Sequence, residues 1–140
     1  MEVGNFAEVK AALDLYLAQY DATDKLWAYF SSVTLAVIGF TIASEKASKS
    51  FVEASIVAAG YLVFCFGNFQ ALILSQKQLV RFAELARELS NNHKVTMDAL
   101  TPFAPQRVAW FYWLVAAAVA LSVLVITWRR RQHSTPITAH

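Results

Sequence analysis

Three stretches of the chain contain no Asp, Glu, Lys or Arg, and they limit its fold more than any other feature. They are residues 26–44, 54–76 and 108–128, which are 19, 23 and 21 residues long. As helices they would extend about 28 to 35 Å, which matches a hydrocarbon core about 30 Å thick. Three such helices in a soluble core would leave almost nothing to cover them. We therefore predict an all-α integral membrane protein with three transmembrane helices.

Composition supports this prediction and excludes several other classes. Only 16% of the 140 residues are charged, against roughly 25% in soluble proteins, and the mean hydropathy is +0.42. Intrinsic disorder requires low hydrophobicity, and a disulfide-stapled miniprotein requires more than the single Cys present. A net charge of +2 lacks the strong basic excess of a nucleic-acid module.

The ends of the stretches carry residues typical of a membrane boundary. Trp and Tyr favour this boundary, and Lys or Arg beyond a span stops its transfer. The residues are Trp27 and Tyr29 at the first stretch, Trp110, Tyr112 and Trp113 at the start of the third, and Trp128 with Arg129, Arg130 and Arg131 at its end. The domains expected are an N-terminal helix (1–24), a three-span membrane domain (25–131) and a disordered tail (132–140).

Topology follows weakly from the basic residues. With three spans, the N-terminus and the 77–107 loop share one side and carry seven Lys and Arg residues, against five on the other side. The positive-inside rule thus favours a cytoplasmic N-terminus and 77–107 loop, although the Arg triplet at 129–131 pulls the opposite way.

The first 24 residues predict a separate amphipathic helix, with Asn5 and Glu8 as a capping pair at its start. Its apolar residues recur at intervals of 3, 4, 3 and 4, and we call them the N-terminal seam: Phe6, Val9, Leu13, Tyr16 and Tyr20. Residues 1–25 hold five acids and two bases, which disfavours anionic headgroups. The seam therefore fits a gate or an oligomer contact, or a contact with another part of the chain, with a helix on the membrane surface as the alternative.

A helical loop (77–90) is predicted to continue the second span, because no Gly or Pro separates the two. One helix would then run from about Val52 to about Ser90, and Pro105 would lie in the first turn of the third helix. Small residues on each span predict close packing, either within the chain or between copies: Ser32, Ala36 and Ala43; Gly60, Gly67 and Ala71; Ala109, Ala116 and Ala120.

Sequence motifs typical of enzymes, metal sites and phosphate-binding loops are mostly absent. His93, His133 and His140 have no ligand-like spacing with each other or with Cys65, and no Gly-rich phosphate loop exists. We expect no enzyme activity, no catalytic, cofactor-binding or metal-ligating residue, and no cofactor.

Polar side chains within the spans are more informative, because in hydrocarbon each must find a partner or face water. Ser31, Thr34 and Thr41 share one face of the first span, while Asn68 and Gln70 of the second point about 200° apart. Candidates to line a pore are Ser31, Thr34, Thr41 and Asn68. Back-bonding of the hydroxyls to the preceding turn and adhesion between helices through the amides are the alternatives.

Two functions remain. A homo-oligomeric membrane channel, gated by the N-terminal helices, uses every feature above, because three spans alone are too thin to enclose a water path. A membrane scaffold or accessory subunit would instead recruit a partner protein through its extramembrane helices. A transporter lacks the intramembrane carboxylates and internal repeats that coupling usually needs.

The plan as a whole, with an acidic capped N-terminal helix, three spans, a helical loop and no catalytic domain, resembles the small membrane effectors of bacterial anti-phage systems, such as the Hailong-type channel effector. That resemblance implies a tetrameric channel in the bacterial inner membrane, held shut by its N-terminal helices. It implies opening by a nucleotide or oligonucleotide that a partner enzyme makes for antiviral defence. Lys77, Arg81 and Arg87 are then candidates to bind the anionic ligand, or else ordinary juxtamembrane cations.

Overall fold

The described part of the chain is all-α. A computed structural model describes residues 2–44, 50–92 and 100–132, with side chains described from residue 7 and, before the second gap, up to residue 91. Within these ranges the chain forms α1 (Glu2–Ala43), α2 (Phe51–Asn92) and α3 (Pro105–Gln132).

Each of these three described helices is long and apolar enough to cross a membrane. With 42 residues each, α1 and α2 extend about 63 Å, which is roughly twice the hydrocarbon thickness. Their surplus length coincides with their charged residues, since the charge-free stretches occupy only residues 26–43 of α1 and 54–76 of α2. Half of each helix thus has the composition of a segment in water.

The prediction of a separate N-terminal amphipathic helix was wrong. Residues 2–24 belong to α1, which continues without interruption to Ala43. The physical reason lies in the sequence, because no Gly or Pro stands between Gly4 and Gly39 to end a helix. Asn5 consequently lies inside α1 rather than at its N-cap.

The continuous helix through the second span is confirmed, with Phe51–Asn92 observed against Val52 to Ser90 expected. Ser50 caps it, because its carbonyl accepts from the amide of Ala54 at 3.1 Å and its hydroxyl accepts from that of Glu53 at 3.4 Å. Pro105 is the first residue of α3, as predicted. His93, His133, His140 and the tail beyond Gln132 lie outside the described residues.

The chain divides into two compact units. The first unit comprises Met1–Ala28 and Phe69–Ala109. Its core is Tyr16 of α1 against Leu79 and Ala83 of α2, with Phe82 and Leu100 packed beside them. A polar contact adds to this core, because Gln19 donates to the hydroxyl of Ser75 at 2.7 Å, and the Thr23 hydroxyl lies 2.7 Å from the same oxygen.

The second unit comprises Tyr29–Asn68 and Trp110–His140. Its core is built from small side chains: Ala54 and Ala58 of α2 meet Val123 of α3, with Val37 of α1 beside them. Small residues let helix backbones approach closely, which is how helices associate where water supplies no hydrophobic driving force.

Candidate functional site

The second unit contains two sets of hydrogen bonds between its helices. The Thr34 and Tyr61 hydroxyls lie 2.9 Å apart, and the Tyr112 hydroxyl donates to the carbonyl of Cys65 at 2.8 Å. Asn68 donates to the Tyr112 hydroxyl at 3.4 Å. These polar groups lie in charge-free stretches, and each is satisfied within one chain.

The four predicted pore-lining residues do not share one environment. Thr34 and Thr41 are buried, and the Thr41 hydroxyl donates to the carbonyl of Val37 at 2.8 Å. Asn68 is half-buried, whereas Ser31 is exposed. In a single chain, therefore, only Ser31 of this set points outward, and the lining of a pore stays a prediction.

Gln70 is the polar residue that the sequence-based selection passed over. It is exposed on α2, and its side chain makes no hydrogen bond to any described residue. It lies five residues from the middle of the charge-free stretch, or about 8 Å along the helix. The angle of about 200° between Asn68 and Gln70 could have predicted this exposure, because the Gln70 side chain points outward when the Asn68 side chain points inward.

The small-residue faces also divide between interior and exterior. On α3, Ala116 is fully buried. On α1 and α2 the small residues predicted to pack closely are exposed, as is Gly39: Ser32, Ala36, Gly39, Ala43, Gly60, Gly67 and Ala71. A Cβ added at Gly39, Gly60 or Gly67 would meet no atom within 4 Å. Close packing inside the chain therefore leaves these faces of α1 and α2 unused.

The N-terminal seam is partly covered within the chain. Val9 and Tyr16 are buried, and Tyr16 packs on Leu79 of α2. Leu13 is half-buried and Tyr20 is 55% exposed, while the side chain of Phe6 lies outside the described residues. The sequence left two protein contacts open for the seam, one with another copy of the chain and one with another part of the same chain. The structure shows the second, through Tyr16 and Leu79.

The three candidate cations differ in what they contact. Lys77 and Arg81 are exposed. Arg87 is half-buried, and its guanidinium donates to the carbonyl of Leu100. Arg87 thus braces the segment ahead of α3, and Lys77 and Arg81 are the accessible members of the set.

A cleft of about 370 Å³ opens in the first unit, and we call it the aromatic cleft. Four aromatic side chains line it: Tyr16, Tyr20, Trp27 and Phe103. Asp24 is the one acid or base among the described lining residues. Gln76, also in the wall, is buried and donates to the carbonyl of Phe103 at 2.8 Å, which ties the segment ahead of α3 to α2.

The described residues contain no group of three His, Cys, Asp or Glu side chains able to hold a metal ion. Cys65 is buried within the second charge-free stretch, with its thiol free. Comparison with known proteins adds no relative: no family model, no curated protein and no solved structure matches the chain.

Proposed function

We propose that the protein is a small three-span membrane protein that assembles as a homo-oligomeric channel. The observation that carries the proposal is Gln70, an exposed amide that hydrogen-bonds no described residue and lies in a stretch with the composition of a segment in hydrocarbon. Transfer of an unbonded amide from water to hydrocarbon costs about 4 to 8 kcal/mol. A monomer surrounded by lipid would bear much of this cost, whereas an assembly can remove it.

A second copy of the chain is the simplest source of a partner. An amide carries both donors and acceptors, so two Gln70 side chains complement each other, and a ring of them can equally face water. The exposed small residues on α1 and α2 favour the same arrangement, since they let neighbouring chains approach closely.

A pore explains the outward polar groups better than a simple dimer. Ser31 on α1 and Gln70 on α2 are both exposed within charge-free stretches. In a ring of subunits an outward amide such as that of Gln70 can line a shared water path, and a tetramer is the size that the architectural resemblance implies. We place it in the bacterial inner membrane with the N-terminus and the 77–107 loop in the cytoplasm.

Gating follows from the N-terminal half of α1. Part of the seam is still accessible, with Tyr20 exposed and Leu13 half-buried, and apolar rings of this kind close a pore by dewetting. Lys77 and Arg81 are accessible to an anionic nucleotide or oligonucleotide made by a partner enzyme. Such a signal would make the channel an effector of anti-phage defence.

The test is single-channel current in planar bilayers together with the mass of the purified protein in detergent. Wild type should give discrete currents from a species of several subunits. Gln70→Leu removes the amide and should weaken association about fivefold per contact, as expected for an interhelical hydrogen bond of about 1 kcal/mol. Gln70→Asn keeps an amide and should restore much of it, and Phe66→Leu, another exposed position of α2, is the matched control.

One outcome would contradict the channel, and a second would contradict the role of Gln70 in it. A monomer in detergent and in bilayers, silent at every voltage, removes it outright. A stable oligomer whose mass and current are the same for wild type and Gln70→Leu removes Gln70 from the interface.

The scaffold function is favoured by a different observation. Leu15 and Leu17, on the charged half of α1, are 51% and 53% exposed, although this half has the composition of a segment in water. A partner protein covering them would make the chain an accessory subunit. Recovery of one stoichiometric partner whose binding is lost in Leu15→Asp, with no current in any condition, would select this function.

A further inference from the structure

The aromatic cleft has the chemistry of a cation site. Aromatic ring faces carry negative potential and attract an ammonium group placed over them. The Tyr16 and Tyr20 rings both line the cleft, with centroids 6.4 Å apart and planes inclined by 35°. Trp27, whose ring type binds cations best, and Phe103 complete the lining.

Asp24 adds a full negative charge to this lining. No described cation lies within ion-pair distance of its carboxylate, and the adjacent Lys25 pairs with Asp21 instead, at 2.7 Å. No Lys or Arg lines the cleft among the described residues. A carboxylate beside four aromatic rings selects a cation with an apolar surface over an anion or a neutral apolar molecule.

The position of the cleft along the chain indicates where its ligand comes from. Trp27 is the second residue of the charge-free stretch of α1, and Gln76 is the last residue of that of α2. In a bilayer both residues lie at the boundary where headgroups meet hydrocarbon, which is also where Trp and Tyr are enriched. The cleft therefore opens at the depth of the headgroups.

We propose that the aromatic cleft binds the ammonium group of a zwitterionic phospholipid headgroup, of the ethanolamine or choline type. The volume of about 370 Å³ lies at the small end of ligand sites and suits a headgroup. Lys77, exposed and next to Gln76, is the nearest cation along α2 to receive the lipid phosphate. The hydrogen bond from Gln76 to Phe103 holds the wall in place before the lipid arrives. This site requires a membrane location but neither conductance nor a particular subunit number.

The test is native mass spectrometry of the full chain released from nanodiscs containing equal amounts of phosphatidylethanolamine and phosphatidylglycerol. Retained lipid is counted per chain, so lipid binding can be measured even if the protein proves not to be a channel. Wild type should retain phosphatidylethanolamine about fivefold over phosphatidylglycerol. Asp24→Asn should abolish the preference, and Trp27→Leu should reduce it. Asp21→Asn, which removes an acid outside the cleft, is the matched control and should keep it.

Three results would overturn the site. Equal retention of the two lipids by wild type is the first, and equal loss of preference in Asp21→Asn and Asp24→Asn is the second, since it would indicate net charge alone. The third is tight, Asp24-dependent binding of tetramethylammonium in detergent without phospholipid, followed by tryptophan fluorescence, which would assign the cleft to a soluble cation. Unchanged far-ultraviolet circular dichroism must accompany each variant.

Discussion

The cores of the two units are stabilised by different interactions. The first unit carries most of the charged residues, and its core joins large side chains, with Tyr16 against Leu79. The second unit has a core of Ala and Val side chains and contains hydrogen bonds that join Thr34 to Tyr61, and Tyr112 to Cys65 and Asn68. Large apolar side chains dominate the core of the first unit, while small side chains and hydrogen bonds between helices hold the second unit together.

The strongest challenge to this comparison is a charge in the core of the first unit. Ala83 is 1% exposed and contacts Tyr16 and Leu79. Ala83→Asp buries an unpaired carboxylate and should lower the free energy of unfolding by at least about 3 kcal/mol. Denaturant titration followed by circular dichroism measures the loss. Leu85→Asp, at a position 41% exposed, should change stability by less than about 1 kcal/mol. Equal losses in the two variants would show that the contact of Tyr16 with Leu79 and Ala83 does not form.

Two single variants, each lacking one tyrosine hydroxyl, test the comparison between the units more finely. Tyr112→Phe loses the bonds to Cys65 and Asn68 and should destabilise the protein by about 1 to 2 kcal/mol. Tyr16→Phe, at another buried phenol that hydrogen-bonds no described residue, should change stability by less than about 0.5 kcal/mol. The same titration compares the two, and a larger effect at Tyr16 would show that the hydrogen bonds of Tyr112 do not stabilise the second unit.

The smallest effect is expected at the surface ion pair. Lys25 and Asp21 are separated by four residues on α1, and both side chains are 67% exposed. Lys25→Met should therefore cost no more than about 0.5 kcal/mol, and the difference should vanish in 1 M salt. A larger loss that persists in high salt would show that Lys25 contributes through other contacts.

Much of the fold could be predicted from the sequence, because it depends on local rules. The charge-free stretches predicted the three helices, and the lack of a breaker after Gln76 predicted the continuation of α2. The same rule, applied to residues 20–30, would have predicted the continuity of α1, but the change from charged to apolar composition suggested a boundary there. Composition changes at a membrane surface without ending a helix.

The candidate sites were less predictable, because they depend on which face of a helix is covered. Thr34 and Thr41 look like pore-lining hydroxyls in sequence, yet both are buried. Gln70 gains importance only once Asn68 is seen to bond Tyr112. The aromatic cleft joins Tyr16, Trp27 and Phe103, which lie up to 87 positions apart, and no local pattern connects them.

We propose that Gln70 faces a shared water path, and ion selectivity tests this proposal most directly. The reversal potential of single-channel currents across a tenfold potassium chloride gradient should be measured for wild type and for Gln70→Glu, after both are shown to have the same subunit mass. A ring of carboxylates at the path attracts cations, so Gln70→Glu should shift the reversal potential toward that of potassium. Discrete currents with the same reversal potential in both proteins would contradict the claim that Gln70 lines the pore.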